Sequence, residues 1–440
     1  MSKSINRRTF LAASAAMAAA PMILPSTAWG QNAPSNRIHI GCIGLAGMGM
    51  ANINSFLRHD DCRVIALCDV DRNVLRSREE AINNHYGDQA CQAYTDYREL
   101  IAQDDIDAVM IATPDQWHAP MAMAAAKAGK DIYCEKPITH TFAEGARLMA
   151  TLREHDCIWQ MGAWQRSQFH FRRAVDIVQN GLLGEIQFVD IGLPSGEPFP
   201  PQNGEHEPPD HVDYDAWCGP SPMLPFHPDR FHFQWRWNYH FGAGQLMDWI
   251  GHHNDIAHWA LEEELGGPVA VQMNEYRVPE RTDVWNASWR YDLTCWYDRG
   301  FTTRITNMAR RGTTFYGSEG WVHVSRGTLD TMNPEWKDPA FDPGPKKAYV
   351  SDDHTRNFLD CIKSREPAIT PAESAHRSIT PGHLGLISAA LGNRRLEWDP
   401  ANETLLNDED GEATKLLNQQ GDRMPWMPWR EEWAGDLLDA

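Results

Sequence analysis

The spacing of apolar positions changes several times along the chain, and each change predicts a different kind of element. An Ala-rich apolar run, Leu11 to Leu24, comes first and is too short and too small-sided for a membrane span. A β-like run follows from Ile38 to Ile43, then a cluster of glycines, then a helical pattern. The next β-like run, "CRVIALCDVD", carries Asp69 at its end. Further on, "DIDAVMIATP" and "DIYCEKP" predict strands, and "HAPMAMAAAKAGK" between them predicts a helix closed by Gly129. Alternation of this kind predicts an α/β domain with a parallel sheet and its ligands at the carboxyl ends of the strands, here assigned to 36–158.

From Trp159 the pattern changes, and 159–440 is expected to form a second, α+β domain. "GEIQFVDIGL", "DLTCWYD" and "FTTRITNMA" alternate with a strand period. Between them, 194–245 is a long irregular stretch rich in Pro, Gly, His and Trp. Loops of that length are functional or disordered, and the aromatic content predicts order. "GAGQLMDWIGHHNDIAHWAL", 242–261, predicts a helix with Asp248, His252, Asp255 and Trp259 on one face. The C-terminal "RMPWMPWREEW" is too apolar for a free tail and is expected to dock.

Bulk numbers narrow the classes. A chain of 440 residues exceeds one ordinary core, which agrees with two domains. The net charge of −20 argues against nucleic acid and anionic membrane as partners. Nine cysteines, an odd count without close pairs, include Cys42, Cys68 and Cys134 inside or at the ends of apolar runs. They read as small core residues of a protein folded in a reducing compartment. Yet Arg7-Arg8, followed by Thr9-Phe10-Leu11 and later by Ala28-Trp29-Gly30, has the form of a twin-arginine export signal. Residues 1–30 are therefore expected to be cleaved and the folded protein delivered to the periplasm.

The glycine cluster suggests what is folded before export. Gly44 permits a tight turn off the strand, Gly49 allows close helix packing, and the helix N-terminus offers N–H groups to a pyrophosphate. Ala46, Gly47 and Met48 occupy the positions between, with Ala46 where the pattern favours a second glycine. Asp69, 20 residues after Gly49, can accept from ribose hydroxyls and repel a 2′-phosphate, so NAD is favoured over NADP. Arg72 stands close enough to keep NADP in play. Thr113, Pro114, His118, Glu135 and Lys136 at later strand ends and turns complete the expected cofactor contacts.

On the helix, Asp248 one turn before His252 can orient an imidazole as a general base. His253 and His258 raise the thought of a metal cluster, but adjacent residues point about 100° apart on a helix, and no metal is expected. Trp217, Trp235, Trp237, Trp249 and Trp259 could stack on sugar rings or fill cores. Arg166, Arg230 and Arg236 could hold hydroxyls or a carboxylate, or simply pair with surplus acids.

Gly44–Gly49 together with "ATPDQWHAPMAMAAAKAGKDIYCEKP", and Glu135-Lys136-Pro137 above all, resembles the glucose–fructose oxidoreductase and inositol dehydrogenase (Gfo/Idh/MocA) family. The resemblance runs from about Arg37 and weakens after about Pro200. It implies an N-terminal Rossmann domain, a C-terminal α+β domain with an open, mostly antiparallel sheet, and an active site between them. It also implies the roles of Asp248, His252 and Asp255, which match an Asp-x-x-x-His pair with a further Asp seven after the first.

The expected function is oxidation or reduction of a carbohydrate or polyol secondary hydroxyl with NAD, by an exported homo-oligomer. Lys136, His252 and Asp248 are the expected catalytic set; Arg166, Trp235 and Arg236 join them around substrate. Two rivals remain: NAD-assisted glycoside hydrolysis without net redox, and a non-catalytic sugar-binding protein on the same fold.

Overall fold

The computed structural model describes residues 37–423 except 202, 282 and 422; the expected signal at 1–30 and nearly all of the C-terminal tail lie outside the described residues. The first sheet is wholly parallel, in the order β3-β2-β1-β4-β5-β6. Its strands and helices alternate: β1 Ile38–Ile43, α1 Met48–Phe56, β2 Cys62–Cys68, α2 Arg72–Tyr86, β3 Gln92–Tyr94, α3 Tyr97–Ile101, β4 Ala108–Ile111, α4 His118–Lys127, β5 Asp131–Cys134, α5 Phe142–Glu154 and β6 Trp159–Met161. β4 and β5 are buried throughout, as expected of strands covered on both faces. Asp71 caps α2, its side chain accepting from Asn73 and Val74 N–H, and Thr141 with Glu144 makes a capping box on α5.

The sixth strand corrects the expected boundary. Trp159, Gln160 and Met161 pair in parallel with β5, so the first domain extends past 158. The run after "DIYCEKP" is too short to announce itself, and only the ladder completes it.

The second half contributes α6 Phe169–Gln179, β7 Ile186–Gly192, α7 Tyr214–Cys218, α8 Gly244–Leu261, β8 Ala270–Arg277, β9 Arg290–Trp296, β10 Thr302–Thr306, β11 Gly312–Gly317, β12 Trp321–Ser325, β13 Thr328–Thr331, α9 His354–Ser364, α10 Ala372–Ala390, β14 Leu396–Asp399, β15 Thr404–Leu405 and α11 Glu412–Leu417. Nine strands form one sheet, β13-β12-β11-β7-β10-β9-β8-β14-β15, antiparallel except where β10 lies parallel to β7. α8 is buried on almost every side. It packs on α6, α10 and the sheet, with Gly251 close beneath the Lys136 side chain. One apolar core joins both halves, and α9 returns to pack Phe358 and Leu359 against the first sheet.

The described residues of 194–245 are ordered and work as a strap. It leaves the second sheet, crosses to the first domain and pairs there: Asp213 N donates to the Val70 carbonyl at 3.1 Å and Arg72 N to that of His211 at 2.9 Å. Trp117 Nε1 donates to the Ala216 carbonyl at 3.0 Å. Tyr214, Trp217, Phe226, Phe231 and Phe241 give the strap a small core of its own. Arg423, the last described residue, docks on this strap, its Nε donating to the carbonyls of Gly219 at 2.8 Å and Ser221 at 2.9 Å.

Candidate active site

A cavity of about 820 Å³ opens at the carboxyl ends of β1, β2, β4 and β5. Gly44 to Met48, Asp69, Thr113, Pro114, His118, Glu135, Lys136, Trp235, Arg236 and Asp248 all line it, so most of the expected residues converge. Its size falls in the range of ligand pockets, about 300–1,000 Å³.

The glycine turn is built for an anion. Gly44 has φ +80°, and a Cβ there would lie 2.6 Å from the Ala112 carbonyl oxygen. At Gly49 a Cβ would lie 1.9 Å from the Gly44 carbonyl oxygen, which is why α1 can sit hard against the strand end. Gly47 caps α1 with φ +44°, nothing fills the space a Cβ would take, and the first turn has no side-chain cap and no acid. That leaves N–H groups and room for a phosphate. Asp69 ties the turn to β2: its carboxylate accepts from Leu45 N and Asp71 N, each at 2.9 Å. Burial pushes its pKa up to about 6 despite those bonds. Arg72 turns away to the Asp210 carbonyl on the strap; Arg78 reaches the turn instead, 3.3 Å from the Leu45 carbonyl oxygen. The expected Arg72 contact is therefore replaced, because α2 presents residue 72 to the strap and residue 78 to the turn.

Beyond the turn, His118 joins the two loops that follow β4 and β5. Its ring nitrogens lie 2.6 Å from the Pro137 carbonyl oxygen and 2.8 Å from that of Thr113. Burial lowers it to about 4, so it is a neutral strut. Glu135 is buried and accepts from Asn52 Nδ2 at 2.9 Å. The next residue, Lys136, precedes a cis proline and points into the cavity.

Lys136 Nζ donates to Asp248 Oδ1 at 2.8 Å, and Arg236 Nε stands 3.6 Å from Oδ2. Burial pushes the Asp248 carboxyl up, but Lys136 and Arg236 outweigh it and hold the group below its ordinary value. Asp248 therefore anchors the lysine rather than His252. His252 lies one turn further along α8, and its Nδ1 is buried with no partner among the described residues. Burial first, then the charges of Lys136 and Arg326, drive its pKa well below the ordinary value, so the imidazole is neutral.

The third position of that helix face does something else. Asp255 accepts both Nε and Nη2 of Arg166 at 2.7 Å, and Glu264 and Ser374 complete the shell of the arginine. Arg166 is 1% exposed, so it pins α8 within the core and cannot hold substrate. Of the two roles open to Arg166 in the sequence, substrate contact or pairing with acids, the structure shows the second. Arg230 is likewise consumed by the carbonyls of Pro225 and Asp283. Trp237 and Trp259 are core residues, whereas Trp235 lines the cavity. His258 Nε2 lies 3.0 Å from the Tyr297 hydroxyl, and among the described residues no group of three His, Cys, Asp or Glu side chains could hold a metal ion.

Two lining residues carried no signal in the sequence. Asp115, after Thr113-Pro114, is 2% exposed with Oδ1 unpartnered. Burial, then the charge of Asp248, raises its pKa well above the ordinary value. Phe233, in the strap, stacks on Arg236 at 4.0 Å.

Family models match along most of the described chain. Residues 38–163 fit the oxidoreductase family with an NAD-binding Rossmann fold, and residues 199–428 fit the C-terminal alpha/beta domain of the same family. The chain belongs to the Gfo/Idh/MocA oxidoreductase family. Among curated relatives of this Gfo/Idh/MocA chain, the oxidoreductase YrbE of Bacillus subtilis is 30% identical over 167 residues, 38% of this chain and 47% of that protein. Glycosyl hydrolase family 109 protein 2 of a Shewanella species is 34% identical over 159 residues, 34% of each. The chain thus spans half or less of the length of the curated relatives it matches. In solved structures, the WlbA dehydrogenase of Bordetella pertussis, in complex with NADH and UDP-GlcNAcA, superposes with a TM-score of 0.62 at 18% identity, over 82% of this chain and 98% of that one. Aldose-aldose oxidoreductase from Caulobacter crescentus gives 0.60 at 20% identity, over 82% and 99%. These likenesses establish the fold.

Proposed function

We propose that this Gfo/Idh/MocA protein is an exported, NAD-dependent oxidoreductase acting on a secondary hydroxyl of a sugar or polyol. The observation that carries it is the Lys136–Asp248 pair at 2.8 Å, lining the same cavity as the glycine turn. The turn fits a dinucleotide: the empty space at Gly47, the uncapped α1 and the Asp69 carboxylate suit a pyrophosphate and an unphosphorylated ribose. When bound there, NAD supplies a two-electron hydride acceptor or donor.

The chain's own residues do the rest. Lys136 donates a hydrogen bond to the reacting oxygen and shares its developing charge, while Asp248 holds the lysine in place. His252 is neutral and buried, with no partner on Nδ1 among the described residues, and does not itself line the cavity; its part as acceptor of the hydroxyl proton rests on the Asp-x-x-x-His pattern shared with the family. The strap, seated on Val70, Arg72 and Trp117, keeps water out and supports retention of the cofactor, which an exported enzyme would need where no dinucleotide pool exists.

Two of these residues test the reading directly. Lys136→Met and His252→Asn should fold, bind NAD and lose turnover by about 100-fold or more. Near-normal rates in both would refute the assignment.

A second reading, redox-neutral glycoside cleavage, is favoured by the relatives named glycosyl hydrolase family 109. It keeps the same first step and predicts cleavage of a glycoside without net NADH.

A further inference from the structure

Two guanidiniums near the site have no role in that reading. Arg311 precedes β11 and Arg326 sits in the turn between β12 and β13. The chain holds 60 acids against 40 bases, yet neither has an ion-pair partner among the described residues. Both are reachable from solvent.

Arg326 is nevertheless held. Its guanidinium lies 4.4 Å from the ring centroids of both Trp164 and Trp249. Arg311 lies 5.5 Å from Trp249. Gln165, with its amide nitrogen donating to the His252 carbonyl at 3.1 Å, accepts from Arg326 Nε at 3.1 Å. Indoles on its plane and an amide on Nε fix the group and leave the two terminal nitrogens unspent. Such a fork matches a carboxylate or phosphate oxygen pair.

The surroundings agree. Arg326 feels the charges of Asp248 and Glu135, and Asp248 feels Lys136, Arg236 and Arg326. Trp164 and Trp249 both pack against the His252 ring, with centroids 6.4 and 5.4 Å away. Burial, then Arg311, lowers the Arg326 pKa, the mark of a cation set beside another cation. Lys136 and Arg236 hold Asp248 below its ordinary value, and Arg326 adds to them.

We propose that Arg326, backed by Arg311, is an oxyanion subsite, and that the substrate is an acidic carbohydrate whose hydroxyl reaches Lys136. This rests on the oxidoreductase reading above. The shared chemistry is a sugar oxyanion, from a carboxylate or a phosphate.

The test uses the full chain loaded with NAD, and D-glucuronate, D-glucose 6-phosphate and D-glucose as probes. Binding is read by calorimetry and redox by absorbance of the bound cofactor. At least one anion should bind about 10-fold or more tighter than glucose. Arg326→Gln should erase that preference, Arg326→Lys should keep part of it, and Arg311→Gln should reduce it about threefold. Preference for glucuronate identifies a carboxylate, and preference for the phosphate ester identifies a phosphate. If no anion binds tighter than glucose, or Arg326→Gln keeps the preference, the subsite is wrong. Glucose reducing the bound NAD as well as the anions would leave the oxidoreductase reading standing and remove this one. An Arg326-dependent anion preference with no absorbance change from any probe would do the reverse.

Discussion

At the scale of single residues, the site works by pitting burial against partners. Asp69 shows this at the cofactor. A carboxyl raised to about 6 is protonated below that pH and then accepts fewer hydrogen bonds. Bound ribose prefers the ionised form, so the NAD complex carries fewer protons than free protein. The Kd for NAD should therefore weaken as pH falls through about 6 and level off above it. Asp69→Asn should flatten that profile. Asp69→Ser should weaken NAD by about 10- to 100-fold and improve NADP relative to it, in parallel titrations of both cofactors. A wild type that prefers NADP would refute the argument. Gly44, Gly49, Asp69 and Lys136 were legible because a turn, a close approach and a strand end each demand a residue type. Arg166 and Asp115 were not. Whether an arginine meets substrate or a buried Asp255, and whether a carboxyl keeps its charge, depends on neighbours far along the chain, 89 positions away for Arg166 and Asp255.

Among the elements, the strap is the piece most open to challenge. Gly219 ends α7 with φ +58°, and a Cβ there would lie 2.3 Å from Trp117 Cε2. Gly219→Ala should displace either the indole or the strap, at a cost of about 1–3 kcal/mol. Its NAD off-rate should rise by about 10-fold or more, measured by stopped-flow release or by the dinucleotide remaining after gel filtration. Wild type purified without added cofactor should carry near-stoichiometric dinucleotide, read by mass spectrometry after denaturation. Unchanged retention in Gly219→Ala would show that the strap does not hold the cofactor. Periodicity gave the parallel domain and the helix at Gly244–Leu261, because amphipathic and buried elements repeat. The strap was visible as aromatic-rich and ordered, but no period says where an irregular segment lands. β6 escaped for a related reason: three residues hold no pattern.

Over the whole molecule, all nine cysteines are free, eight of them buried and Cys157 partly so. Burial pushes Cys62, Cys91 and Cys295 up to about 12, which keeps their thiols inert. Thermal unfolding should therefore be unchanged by a reductant, and intact mass after alkylation under denaturing conditions should count nine thiols. A shift of several degrees on reduction would reveal a bridge the fold does not contain. The expectation of two domains was legible from length and pattern; their shared core was not, since α9 and α10 come late in the chain yet pack on the first domain.

The order of the second sheet also sets a timetable. β7 sits between β10 and β11, so it has neither neighbour until the strap, α8, β8 and β9 have been made. At synthesis rates of about 5–20 residues per second the wait is on the order of ten seconds. During that interval a strand that the finished fold covers on both edges stands open. Were the protein exported as proposed, a pathway that threads the polypeptide as it emerges would never let β7 meet its partners on the near side of the membrane. One that waits for the finished protein would.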